Sequence, residues 1–272
     1  MKEIKFSLLM CTYYFDDSKL LKLSIESIFK NTVKPDFFIL TVDGKIPKKN
    51  WLTIHKLRKK YKIKLNIIKK NIGLALALNS ALNLVTTKWV ARADSDDINM
   101  INRFEKQIEI AKNNYDVIGS NILEVDQNNK YLKLEKKMPI TNNEINKYLK
   151  TRNPINHMTA FYKTDLVKKV GGYPNFYHRE DYGLWMKLHH YGAKFYNISE
   201  NLVQVNGGQS LFKRRRGFRN IPGEFKLQIL SYRLKIKPIY LAIFHFLIRV
   251  IMLLLPSKIL GKFYLYKLRQ KK

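Results

Sequence analysis

The chain has one cysteine, Cys11, in 272 residues, and few acids, 21 Asp and Glu against 51 Lys and Arg. One thiol cannot close an internal disulfide, so a disulfide-built secreted scaffold is excluded and a reducing compartment fits. Cys11 itself reads as a small buried residue at the end of a first strand. The amino terminus is not expected to act as an export signal. The apolar run from Phe6 to Met10 is short and is followed by Cys11-Thr12-Tyr13, too polar for a secretory core. The expectation is a globular part that stays in the cytoplasm. No stretch is rich enough in Gly, Pro or Ser to serve as a linker, and no internal repeat is visible. A chain of this length then holds one substantial α/β core, with room for a small appendage.

The shortage of acid leaves a formal net charge of +30. From Lys213 to Lys272 there are 16 Lys and Arg against one acid, Glu224, so half of the excess lies in the last 60 residues. The same tail holds the most apolar segment, Ile239 to Leu255. Basic plus apolar points to an anionic membrane surface rather than to nucleic acid. A lysine-rich solvated face is the bland alternative.

The first 95 residues alternate in period. Ile4 to Met10 reads as a buried strand, and Ser18 to Lys30 as an amphipathic helix with Leu20, Leu21, Ile25 and Ile28 inward. Phe37 to Val42 and Ile63 to Ile68 read as strands, Trp51 to Lys60 and Gly73 to Val85 as helices, and Trp89-Val90-Ala91 as a fourth strand. This order implies a doubly wound, mainly parallel sheet, whose ligands sit beyond the carboxyl ends of the strands. Thr12, Asp43, Asn71 and Asp94 all follow strands at that edge. Beyond Arg103 the pattern gives a helix to Asn113, paired strands at Asp116 to Val125 and Tyr131 to Met138, and a helix from Glu144 to Lys150. Asn156 to Tyr162 reads as a strand, Asp181 to Tyr191 as a helix, and Lys194 to Asn197 and Asn201 to Val205 as two short strands. The division expected is 1–97 for nucleotide binding, 98–215 for the acceptor side and 216–272 for a basic, apolar helical tail.

Asp94-Ser95-Asp96, ending the apolar run Trp89-Val90-Ala91, is the most specific local feature. Two carboxylates spaced one apart at a buried strand end converge on one point, as needed to hold a hard divalent cation whose other ligands are phosphate oxygens and water. A lone acidic triplet is common on surfaces. Its setting, Arg92-Ala93-Asp94-Ser95-Asp96-Asp97, points to a nucleotide diphosphate.

With Ser7-Leu8-Leu9-Met10-Cys11-Thr12-Tyr13, Thr41-Val42-Asp43-Gly44, Asn71-Ile72-Gly73-Leu74-Ala75 and Leu78-Asn79, the chain resembles the bacterial family 2 glycosyltransferases of exopolysaccharide and lipopolysaccharide synthesis. The likeness continues through Arg103-Phe104, Asn153-Pro154-Ile155-Asn156-His157-Met158, Gly171-Gly172-Tyr173 and Glu180-Asp181-Tyr182-Gly183-Leu184-Trp185, and covers roughly residues 4 to 215. It implies the nucleotide-sugar-transferase (GT-A) fold and inversion at the anomeric carbon. It also implies a nucleotide-sugar donor, most often a UDP-sugar, with Mn²⁺ or Mg²⁺ as cofactor and a saccharide acceptor, carried on a lipid. The alternative acceptor is a polyprenyl phosphate itself.

The resemblance assigns Thr12 and Tyr13 to the base and ribose, Asp43 to the nucleoside, and Asn71 and Gly73 to donor groups at a helix start. Asp96 becomes the direct metal ligand, with Asp94 near metal and ribose, Ser95 between them, and Arg92 paired with these acids or with phosphate. Asp181, with Glu180 beside it, becomes the base that deprotonates the acceptor. Each has a plainer reading: a turn aspartate at Asp43, a cap at Asn71, and helix amino-terminal charge at Glu180-Asp181. Trp185 either stacks on an acceptor sugar or lies in the core, and His157 either reaches the metal or the acceptor or is a hydrogen-bonded core histidine. Lys213-Arg214-Arg215-Arg216 falls where relatives carry an arginine loop over the diphosphate; a membrane-facing cluster is the competing use.

Two rival readings fit the sequence less well. A sugar-nucleotide-forming nucleotidyltransferase needs a glycine-rich phosphate loop after strand one, and Cys11-Thr12-Tyr13-Tyr14-Phe15-Asp16 has no glycine. A non-catalytic basic module accounts for the charge but not for the polar strand ends. In the tail, Ala242, His245, Arg249 and Met252 step by three or four and share one helix face. Seventeen residues give ~26 Å of helix against a ~30 Å hydrocarbon core. With Arg249 mid-segment, the helix is expected to lie in the interface between basic flanks at Lys235, Lys237, Lys258 and Lys262. Packing on the protein's own core, or on a second subunit in a homo-oligomer, is the alternative.

Overall fold

The structure is a computed structural model that describes residues 4–125, 133–206, 217–255 and 270–271. Its first half alternates as expected: β1 (Phe6–Thr12), α1 (Ser18–Phe29), β2 (Phe37–Asp43), α2 (Lys48–Lys60), β3 (Ile63–Ile68), α3 (Leu74–Asn83) and β4 (Trp89–Arg92). The four strands are parallel neighbours in the order β3-β2-β1-β4. Alternation along β1 explains the double winding. Leu8 and Met10 face one buried cluster with Leu21, Ile25 and Ile28 of α1. Leu9, between them, faces a second cluster with Leu78 and Leu82 of α3. The Asp17 carboxylate starts α1 by accepting from the amides of Lys19 and Leu20.

The second half turns the sheet antiparallel. It comprises β5 (Ile98–Asn99), α4 (Arg103–Ala111), β6 (Val117–Val125), β7 (Lys133–Lys136), α5 (Asn142–Leu149), β8 (Phe161–Lys163), α6 (Thr164–Lys169), α7 (Glu180–His190) and β9 (Phe195–Asn206). The helices α8 (Ile221–Arg233) and α9 (Ile239–Leu254) follow, with β10 (Gln270–Lys271) last. β8 lies antiparallel between β4 and β6, which also pairs with β7. The sheet is therefore mixed: β1 to β4 are parallel, β8 and β7 pair antiparallel with their neighbours, and β6 and β9 run parallel again.

Three expectations are corrected. Asn156 to Tyr162 is not a strand: His157–Thr159 is a 3₁₀ turn, and β8 starts only at Phe161. Asn156 causes this by capping the turn, its carbonyl taking Thr159 N–H and Oγ1. The two short strands at 194–205 are one strand, β9, whose pairing with β6 shifts register between Ser120 and Ile122. The division at 215/216 is no break in packing. Leu227 of α8 is fully buried in the cluster of Trp185 and Leu184, and Ile236 joins it. The sequence hides this because α8 carries no sharp apolar stripe.

Leu227→Ala should therefore destabilise the whole domain by about 2–5 kcal/mol, the usual cost of a buried leucine-to-alanine cavity. Urea unfolding monitored by tryptophan fluorescence measures it. An unchanged midpoint would mean that 216–255 folds apart from the rest.

Candidate active site

The carboxyl ends of β1, β2 and β4 lie side by side, with Thr12 opposite Val42 and Arg92 opposite Leu9. The chain leaving β4 is then pinned from three directions. Ser24 Oγ of α1 donates to the Asp94 carbonyl at 2.7 Å. Ser95 Oγ donates to Asp16 Oδ2 at 2.6 Å. The Asn206 amide, ending β9, donates to Asp97 Oδ1 at 3.2 Å. The result gathers Asp94, Asp96 and Asp97 so that one oxygen from each lies within 4.8 Å of the others.

Such a cluster repels itself, and Arg92 offsets it. Its guanidinium is buried and pairs with Asp94. Burial, and then Asp96, still push the Asp97 carboxyl up to about 8, and its Oδ2 is buried without a hydrogen-bond partner. A divalent cation fits this donor set: it accepts hard oxygens, and it relieves a carboxyl that burial holds protonated.

Beside it, Asp43 is buried and faces its own chain. Its oxygens accept from Ile72 N–H at 2.8 Å, from Gly73 N–H at 3.0 Å and from Asn71 Nδ2 at 3.0 Å. A carboxylate has about four acceptor positions, so one is left. Asn71 and Gly73 thus hold Asp43, and α3 begins with no side-chain cap; the expectation that their donors are directed at a ligand is corrected in this conformation. Gly44 makes the loop possible, since a Cβ there would lie 2.7 Å from Asn71 N at a φ of +84°. Tyr13 stands half-exposed at the same edge, in edge contact with the exposed Phe15.

On the second half, α7 opens with Glu180 and Asp181. Asp181 Oδ2 accepts from Asn153 Nδ2 at 2.6 Å, and Oδ1 from the Tyr182 amide at 2.7 Å. Glu180 is buried, and burial, then Asp181, push its carboxyl up to about 7; the charge of Arg92 acts in the opposite sense. Arg92 therefore acts electrostatically on both carboxylate groups. Arg179 anchors the turn before α7 by donating to Glu224 of α8 at 2.7 Å.

Two expected acceptor contacts are corrected. Trp185 is fully buried, packed edge-on against Tyr162 and His157, so it has no face free for a sugar. His157 is a core histidine: its Nε2 lies 3.2 Å from Tyr173 Oη, which lies 3.0 Å from Tyr162 Oη. Burial, and then Arg92, hold its imidazole well below the ordinary range, hence neutral. Burial also pushes the Cys11 thiol up to about 12, which makes it inert. The cluster Lys213-Arg214-Arg215-Arg216 lies outside the described residues. Asp16 and Asn153 were passed over as site residues. Asp16 follows β1 at the same edge, which was a usable signal; the pairing of Asn153 with Asp181 had none short of the fold.

Residues 7–171 match the model of glycosyl transferase family 2. The chain belongs to that family. Family membership makes it a glycosyltransferase. It is 38% identical to the Escherichia coli UDP-Gal:alpha-D-GlcNAc-diphosphoundecaprenol beta-1,3-galactosyltransferase, over 97% of this chain and 95% of the relative. It is 31% identical to the amylovoran biosynthesis glycosyltransferase AmsE of Erwinia amylovora, over 95% and 97%. Among solved structures it resembles S. aureus TarS 1–349 in complex with UDP-GlcNAc, at TM-score 0.68 and 18% identity, over 90% of this chain and 72% of that one. The mannosyltransferase PcManGT of Pyrobaculum calidifontis, in complex with GDP-Man and Mn²⁺, matches at TM-score 0.63 and 14% identity, over 97% and 81%. These likenesses establish the GT-A fold of the family.

The raised Glu180 carboxyl has a consequence for stability. An acid raised on folding releases its proton first in the unfolded chain, so it lowers stability as pH rises from about 4.5 to about 7. Glu180→Gln should therefore gain stability relative to the parent across that window. Denaturant midpoints measured at both ends test it; a gap that does not widen with pH would place Glu180 in contact with water.

Proposed function

We propose that the chain transfers galactose from UDP-galactose, with inversion, to a lipid-linked saccharide ending in N-acetylglucosamine, in the synthesis of a cell-surface polysaccharide. The observation that carries this reading is the end-to-end 38% identity to a transferase named for that donor and acceptor. The edge of the sheet supplies groups of the right chemistry. Tyr13 lines the base and ribose, and Asp43 uses its last acceptor position on the nucleoside; Thr12, expected beside Tyr13, is fully buried at the end of β1 and supports the turn instead. Asn71 and Gly73 hold Asp43 in place for that contact. Asp94 and Asp96, with Asp97 beside them and Ser95 fixing the turn, would hold Mn²⁺ or Mg²⁺, which would supply positive charge against a diphosphate leaving group.

Transfer is then one displacement. Asp181, oriented by Asn153, accepts the proton of the acceptor hydroxyl. That oxygen forms its bond to the anomeric carbon as the bond to the diphosphate oxygen breaks, and UDP leaves with the electron pair. Glu180, buried beside Asp181, sets the local field but is held less acidic by burial.

Full-length protein, UDP-galactose, Mn²⁺ and a diphospholipid-linked N-acetylglucosamine test the reading. Release of UDP should depend on both the metal and the saccharide. Turnover on a bare polyprenyl phosphate, or with another nucleotide sugar in place of UDP-galactose, would contradict it. Asp96→Ala should abolish transfer and the metal-dependent thermal stabilisation by donor; full activity of this variant in chelator would remove Asp96 from the site. For Asp181→Asn, turnover should fall by ~10²–10⁴-fold, the usual cost of losing a general base, with donor affinity retained. A collapse of donor affinity with normal turnover of bound donor would move Asp181 to the donor side.

A further inference from the structure

The helix α9 is amphipathic with its apolar side turned outward. Tyr240, Ile243, Phe244, Leu247, Ile251 and Leu254 are between 44% and 67% exposed. At 3.6 residues per turn these six fall within an arc of ~100°. The polar positions occupy the opposite side and face the protein. His245 Nδ1 lies 3.1 Å from Lys237 Nζ, and Lys237 Nζ donates to Gln228 Oε1 at 2.7 Å. Arg249 donates to the Thr151 carbonyl at 3.1 Å. Ala242 and Leu253 fill the contact. A helix folded only against its own core would be the other way round. So long an apolar face left in water marks an interaction surface.

We propose that α8 and α9 together form a docking surface for an anionic lipid bilayer. Charge decides the occupant. Between Gly217 and Leu255 the sole acid is Glu224, and it is buried against Arg179. Arg219, Lys226, Arg233 and Lys235, on α8 and the turns at its two ends, are all exposed. Anionic headgroups complement such charge, each nearby Lys or Arg adding to the attraction. A second copy packed face to face would bring the same basic charge onto itself, because a two-fold interface repeats one patch on both sides. Among the described residues no helix is long and apolar enough to cross a membrane. The helix therefore lies along the surface, which keeps Arg249 and His245 out of hydrocarbon. The purpose of this surface rests on the lipid-linked-acceptor reading; its chemistry does not.

Vesicle sedimentation of the full chain tests it. The parent should pellet with phosphatidylcholine–phosphatidylglycerol vesicles and much less with phosphatidylcholine alone. Phe244→Glu with Leu247→Glu should abolish pelleting. Arg233→Glu with Lys226→Glu should weaken it by at least tenfold, since removing each basic residue alone is worth about fivefold. All these side chains are exposed, so donor-dependent thermal stabilisation and transfer to a water-soluble N-acetylglucosaminyl diphosphate should stay normal in both variants. That second readout separates this surface from the reaction: loss of transfer in the parent contradicts the reaction alone. Equal pelleting of parent and variants overturns the docking surface. So does a parent that remains in the supernatant, or one that is a dimer which Phe244→Glu with Leu247→Glu converts to a monomer without change in lipid binding.

Discussion

A buried guanidinium holds this site together. Three carboxyl groups gathered at one sheet edge cannot all carry charge cheaply: two unit charges 4 Å apart repel by roughly 4 kcal/mol at an effective dielectric of 20, and Asp97 is pushed up to about 8. Arg92 sits beneath them, paired with Asp94, and its own position is fixed in turn. Arg103 Nη2 donates to the Arg92 carbonyl at 2.7 Å, while Arg103 also bonds Asn99 and Gln107. Two arginines this close oppose each other, and burial, then Arg92, bring Arg103 down to about 9. The arrangement is costly, and a bound cation with its diphosphate would complete its charge balance. That is the physical sense in which the site is built for a ligand.

The halves of the domain meet through pairs of side chains that fix loop against loop. Asn79 of α3 and Tyr173 exchange two hydrogen bonds, at 2.9 and 2.8 Å. Gly172 permits that approach, since a Cβ there would lie 2.4 Å from Asn79 Oδ1. Tyr173 then reaches His157 and Tyr162. Buried polar chains of this kind are tolerated when their members find partners, and they keep the acidic turn and α7 in one rigid frame. The tail belongs to the same frame. From His245 the chain of contacts runs through Lys237, Gln228 and Glu224 to Arg179, the residue just before Glu180.

The parallel half was legible because its signals are local. Apolar residues recur at helical and strand spacing, and a polar residue ends or closely follows each of the four strands, so the edge carrying Thr12, Asp43 and Asp94 followed from the sequence. What stayed hidden depends on contacts distant along the chain. Trp185 sits on a helix opened by Glu180 and Asp181, yet its ring is directed into the core against Tyr162. Asp43 reads as a ligand residue, but its oxygens are mostly taken by the loop of Ile72 and Gly73. Asp97 reads as one more acid of the motif, and only the buried position of its Oδ2 shows that it completes the cluster. The tail was read as apolar and basic, while the direction of its faces needed the packing of Ala242 and Arg249.

The central claim is that one base and one departing diphosphate act on opposite faces of the sugar. The configuration of the product tests it most directly. With UDP-galactose, whose sugar is α-linked, NMR of the purified product should show a β-linked galactose from the anomeric coupling constant. An α-linked product would require two displacements or a front-side path, and would contradict the assignment of Asp181 and of the sheet edge opposite it.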